Sequence, residues 1–91
     1  MNDADIAILD LPTLQLAAVN LDTLRCSTLN PRERQVLLLI CDDLTDQQIA
    51  TQLGITRRTV NTHCSNLYVK LDVHSRLGAF KVAMRAGLVT P

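Results

Sequence analysis

The chain has 91 residues, of which 47% are apolar and only Tyr68 and Phe80 are aromatic. That suffices for one small domain but not two, with an aliphatic, alanine-rich core of the kind that packed helices make. The longest apolar run, 36–41, falls far short of the roughly 20 residues of a membrane span, and the start (Asn2, Asp3, Asp5) lacks the basic opening of a secretory signal.

Cys26, Cys41 and Cys64 are odd in number and widely spaced, which gives no disulfide framework and suits a cytoplasmic protein. A formal net charge of zero conceals an asymmetry. Residues 1–28 set Arg25 against four aspartates, whereas residues 29–91 hold eight basic and five acidic side chains. A modestly basic domain behind an acidic extension is compatible with nucleic acid, although charge alone would be a weak basis for binding.

In chain order, Pro12 suits a first helical turn, and Leu14, Ala17, Ala18, Leu21 and Leu24 follow at helical spacing, predicting a helix over about 13–25. At Asn30, Pro31 and Glu33 the start signals coincide: a capping residue, a proline at the first helical position and a glutamate able to close a capping box. Val36, Leu37 and Ile40 then share the face of Glu33, and Asp42 and Asp43 break the helix. Thr45 and Gln48 make a second capping box, opening a short helix with Ile49, Ala50 and Leu53 that Gly54 ends in a left-handed conformation.

Thr56 caps the next helix. At 100° per residue, Val60, Cys64, Leu67 and Leu71 fall on one apolar stripe, and Arg58, Asn61, Thr62, Ser65, Asn66 and Val69 lie opposite. Ser75 caps a last helix reaching Ala86, with Gly87 placed to terminate it. Nothing alternates like a strand, so the fold class is all-α.

A short helix, a glycine-containing turn and a longer amphipathic helix form a helix-turn-helix arrangement. The second helix of such a pair fits the major groove of DNA, roughly 12 Å wide. Asn, Ser and Thr can both donate and accept at base edges, and Arg57 and Arg58 in the first turn can reach phosphates or a guanine.

The segments "LNPRERQVLLLI", "LTDQQIATQLGITRRTVNTH" and "NLYVKLDVHSRLGAFKVAMRAGLV" resemble the DNA-binding domain of the LuxR/FixJ/GerE-type bacterial transcription regulators. The likeness covers about residues 29–89 and rests on an ordered series: Pro-Arg-Glu, Gln-Ile-Ala, Thr-Val-x-x-His, Lys-Leu and Ser-Arg. It implies four helices at about 31–41, 46–53, 57–71 and 75–86, the third in the major groove and the fourth at a dimer interface. Residues 1–28 would then be an extension before a domain spanning 29–91. By position, the resemblance places Asn61, Thr62 and Ser65, with Arg58, at bases. It places Thr45, Gln47, Thr56, Arg57, Thr59, His63, Asn66, Lys70 and Arg76 at the DNA backbone or as braces of the reading helix, and it also allows Glu33 to pair with Arg76.

The chain departs from that pattern at Asn61, where the family usually has Lys, and at Gln47, often basic. Fewer neutralised phosphates mean a shallower salt dependence, about −0.9 per contact. Gly78 replaces a helix former at a cost of about 1 kcal/mol unless close packing requires it. Leu38 is apolar where the family is polar.

The last helix carries a small-residue face (Ala79, Val82, Ala83, Ala86) and a bulkier one (Leu77, Phe80, Met84, Leu88), and four helices cannot bury both. We expect the bulky face, with Lys81, to form a homodimer interface, with helix 13–25 packed near it.

The expected function is a sequence-specific, double-stranded-DNA-binding transcription regulator with no cofactor, no catalytic residues and no metal. His63 and Cys64 diverge by about 100° on a helix, and no other ligand lies at metal spacing. The alternative is a small interaction protein that pairs with a full-length LuxR-type regulator and blocks it. A contact between helix 13–25 and RNA polymerase is a third expectation without a specific signal. Met1 favours a complete chain without a sensory domain; in a fragment, residues 1–28 would be linker.

Overall fold

The computed structural model describes residues 21–89, which form five helical segments and no strand. The described part of α1 covers 21–27, and α2 (Pro31–Cys41), α3 (Asp46–Leu53), α4 (Arg57–Leu71) and α5 (Arg76–Arg85) follow. The helices expected from residue 30 onward therefore appear within a residue of their predicted ends.

Local chemistry explains the boundaries. The Glu33 amide donates to Asn30 at 2.8 Å while the Asn30 amide donates to Glu33 Oε1 at 3.0 Å, and Thr45 and Gln48 repeat the exchange at 3.1 and 2.8 Å. Each box satisfies two amide groups that a helix start leaves without partners. Thr56 and Ser75 cap α4 and α5 by accepting from the amides of Thr59 and Gly78. The turn after α2 passes through Asp43 at φ 64°, and α4 ends on Asp72 at φ 58°. Aspartate visits this left-handed region more readily than most residues, although no turn signal in the sequence marks Asp72.

The core lies where α4 packs on both α2 and α3, with α5 closing it against α2. Val36, Leu37, Ile49, Val60, Leu67, Leu71 and Ala79 are wholly buried, joined by Val82 and Ala83. The apolar stripe of α4 and the small-residue face of α5 thus both face inward, as expected.

The N-terminal segment differs from expectation. Residues 13–20 of the expected helix lie outside the described residues. Its described end runs to residue 27, and Leu21 and Leu24, expected on the packing stripe, are exposed. The inner face is instead Asp22 and Cys26. Asp22 turns inward because Arg85 Nε reaches its carboxylate at 2.9 Å, with Arg25 on the other oxygen at 4.0 Å. Arg25 also lies 3.7 Å from Asp72, so α1 is tied by charge both to the end of α4 and to the end of α5.

Two glycines answer different demands. Gly54 sits at φ 68° with open space around it, so only backbone conformation excludes a side chain there. Gly78 has an ordinary backbone, but a Cβ on it would stand 3.0 Å from Val73 Cβ, which explains the glycine in a helix as close packing. No helix among the described residues is long and apolar enough to cross a membrane. We predict that Gly54→Ala lowers the unfolding free energy by about 1–2 kcal/mol, the left-handed penalty of an L-residue, measured by urea denaturation.

Candidate nucleic-acid interface

Helix α4 is buried along Val60, Cys64, Leu67 and Leu71 and bare along the other side. Arg57, Arg58, Asn61, Thr62, Ser65, Asn66 and Val69 are all exposed, Val69 to 81%. The four residues expected at bases share one surface, and Val69, between Thr62 and Ser65 in helical phase, puts an apolar group at its centre.

Hydrogen bonding divides these side chains. Asn61, Ser65 and Asn66 make no side-chain bond inside the protein among the described residues, so their donors and acceptors are available. Thr62 Oγ1 donates to the Arg58 carbonyl at 3.2 Å, leaving it an acceptor and a methyl group to present. Thr56 and Thr59 are joined hydroxyl to hydroxyl at 2.9 Å in the cap of α4.

The start of α4 violates a local rule. A helix N-terminus carries partial positive charge and favours acids, yet no acid stands in the first turn, which holds Arg57 and Arg58 instead. Neither arginine has an ion pair or hydrogen-bond partner among the described residues, so helix end and guanidinium groups together make a positive field open to an anion.

Other basic groups are engaged within the fold. Of the nine, Arg25 and Arg85 hold Asp22, Arg34 donates to the Cys26 carbonyl at 3.4 Å, and Lys70 Nζ lies 2.7 Å from Glu33. Arg76 lies 3.3 Å from Asp46 and also donates to the Leu44 carbonyl, binding the start of α5 to the start of α3. The pairing allowed between Glu33 and Arg76 is therefore not made, because Lys70 reaches the carboxylate from α4 and Arg76 is drawn to the α3 cap. Among the described residues, only Arg32, Arg57, Arg58 and Lys81 are without partners. Thr45, Gln47, Arg57 and Arg76 line one cleft, but Asp43 and Asp46 line it too and make it neutral.

Among the expected interface residues of α5, Leu77, Lys81 and Met84 are exposed, and Phe80 is half-buried. Leu88 leans on the core after the Gly87 turn, and Leu38 is exposed on α2. The grouping of Leu88 with the outward face is thus corrected: the turn past the helix end redirects it.

The cysteines are poor nucleophiles. Burial pushes the thiols of Cys26, Cys41 and Cys64 up, keeping them protonated, and it pushes the Tyr68 hydroxyl up to about 12. No group of His, Cys, Asp and Glu that could hold a metal exists among the described residues.

The helix pair, its capped turn and a bare polar second helix define a helix-turn-helix domain. The pattern of the luxR family of bacterial regulatory proteins, GerE, matches residues 27–83, and the chain belongs to that family. It is 45% identical over 62 residues to the uncharacterized response regulatory protein YgeK of Escherichia coli K12, covering 68% of this chain and 42% of that protein. Likewise it is 39% identical over 80 residues to the probable transcriptional regulatory protein SgaR of Hyphomicrobium methylovorum, covering 88% and 36%. The crystal structure of full-length FixJ from B. japonicum superposes with a TM-score of 0.74 at 28% identity, covering 99% of this chain and 48% of that one. The chain thus spans less than half the length of each of these relatives.

Burial alone would raise the Glu33 carboxyl, but the hydrogen bonds from Lys70 and the Asn30 amide, with the charges of Lys70 and His63, outweigh it and hold the pKa below the ordinary value. A depressed carboxylate contributes stability that is present above its unfolded pKa, about 4.3, and lost as pH falls through the folded one. We predict that the urea midpoint falls below about pH 4 and that Glu33→Gln flattens this part of the profile while lowering the neutral plateau.

Proposed function

We propose that this domain binds double-stranded DNA as a homodimer and regulates transcription, with α4 in the major groove. The observation that carries the reading is the exposed face of α4, where unpartnered Asn61, Ser65 and Asn66 stand beside unpartnered Arg57 and Arg58. Phosphate contacts from Arg57, with Thr45, Gln47, Thr56, Thr59, His63 and Asn66 around it, position the helix. Arg58, Asn61, Thr62 and Ser65 read bases. Asn61 bonds an adenine in two places, worth about 1–3 kcal/mol of discrimination. The outward face of α5, from Leu77 through Phe80 and Lys81 to Met84, meets its symmetry mate, so the operator is an imperfect palindrome.

Because only two unpartnered cations stand on the reading helix, binding depends weakly on salt. With the one phosphate that Arg57 neutralises per protomer, log K falls with log salt at a slope of about −0.9 per half-site. A second reading, pairing with a full-length regulator through α5, is favoured by the neutral cleft and the internal engagement of Lys70 and Arg76.

Selection from random duplexes separates the two. We expect the wild type to enrich one palindromic motif, and Arg58→Ala/Asn61→Ala to lose it, with fluorescence anisotropy giving the salt slope. No enrichment even at low salt would move the assignment to the interaction protein. A monomer at high concentration in light scattering would remove the dimer.

A further inference from the structure

The ammonium group of Lys70 and the carboxylate of Glu33 stand out because their contact joins two helices that the local sequence does not connect. Glu33 is a charged residue only 2% exposed. Its Oε1 receives the Asn30 amide at 3.0 Å and Lys70 Nζ at 2.7 Å, so a single oxygen closes the N-terminal cap of α2 and holds the last turn of α4. Removing the ammonium would leave a buried, uncompensated carboxylate, the expensive way to break such a pair.

The position of Lys70 points the same way. It stands about 18 Å along the helix from Arg58 and about 100° around from Val69, the centre of the bare face. That places it on the flank of α4 that meets α2. A phosphate would have to share the ammonium with the buried carboxylate of Glu33, which holds it at 2.7 Å.

We infer that Lys70 is a positioning residue, latched to Glu33 so as to fix the rotation of α4 about its own axis, and that it makes no phosphate contact. This rests on the DNA-binding reading above and deepens it. The latch sets which side chains of α4 face outward: a roll of one residue step, about 100°, would turn Asn61 and Ser65 off the groove floor. Charge is spent here on orientation rather than on attraction.

The test uses the 91-residue chain and the duplex recovered by selection. Salt titrations compare wild type, Lys70→Met, Glu33→Gln and Arg57→Ala, each first shown to be folded by its cooperative thermal transition. A positioning Lys70 predicts that Lys70→Met weakens binding, by roughly tenfold, at every salt concentration with an unchanged slope, whereas Arg57→Ala lowers the slope by about 0.9. Glu33→Gln, which leaves the ammonium in place, should weaken binding similarly, and the double variant should bind no worse than either single one.

A slope reduced by about 0.9 in Lys70→Met, or tighter and steeper binding in Glu33→Gln, where the ammonium is freed, would overturn the inference. A second measurement keeps the latch testable where DNA binding fails. Urea midpoints of the four members of the Glu33–Lys70 cycle must be non-additive; additivity would overturn the latch, while failure of the wild type to bind any duplex would overturn the DNA reading alone.

Discussion

Everything in this domain turns on one helix being buried on one side and bare on the other. Val60, Cys64, Leu67 and Leu71 fix α4 in a core made with α2, α3 and α5, and that burial supplies the rigidity the opposite face needs. A helix of short polar side chains has little reason to stay ordered in water, since isolated helices of this length are marginal. Here the apolar stripe carries the stability, and the outward residues are free to be chosen for what they touch.

The distribution of charge follows from the same division of labour. Five basic side chains are committed inside the fold: three to the segment 21–27, one to the start of α3, and one to the buried Glu33. The two left at the start of α4 sit where a helix would rather have acids. The domain is therefore not a basic surface that attracts DNA generally. Of the four cations without partners among the described residues, Arg57 and Arg58 stand beside the polar face of α4, while Arg32 and Lys81 lie on α2 and α5.

The legible part of the sequence was the part governed by neighbours within three or four residues. Asn30 with Glu33, Thr45 with Gln48, Thr56 and Ser75 announced their helices because a cap is a local contact, and the stripe of α4 followed from helical phase. That the candidate site residues of α4 share one exposed face was legible for the same reason. Which cation reaches Glu33 was not, since Lys70 and Arg76 both lie far along the chain and only packing decides between them. Leu21 and Leu24 misled because apolar spacing says which residues share a face but not whether that face turns inward; a buried Asp22 with two arginines on it decided otherwise. Leu88 misled in a similar way, because Gly87 redirects the chain just before it.

The grip of Asp22 on Arg85 has a mechanical consequence. A tension entering the described residues at Leu21 does not reach α4 directly, because the first anchor among those residues is an ion pair to the last residue of α5. The pull is carried sideways to the far end of that helix, and from Arg25 to the hinge at Asp72 where α4 stops. Segment 21–27 therefore acts as a lever whose fulcrum is a carboxylate. Its output falls on the corner between α4 and α5 rather than on the residues that face outward.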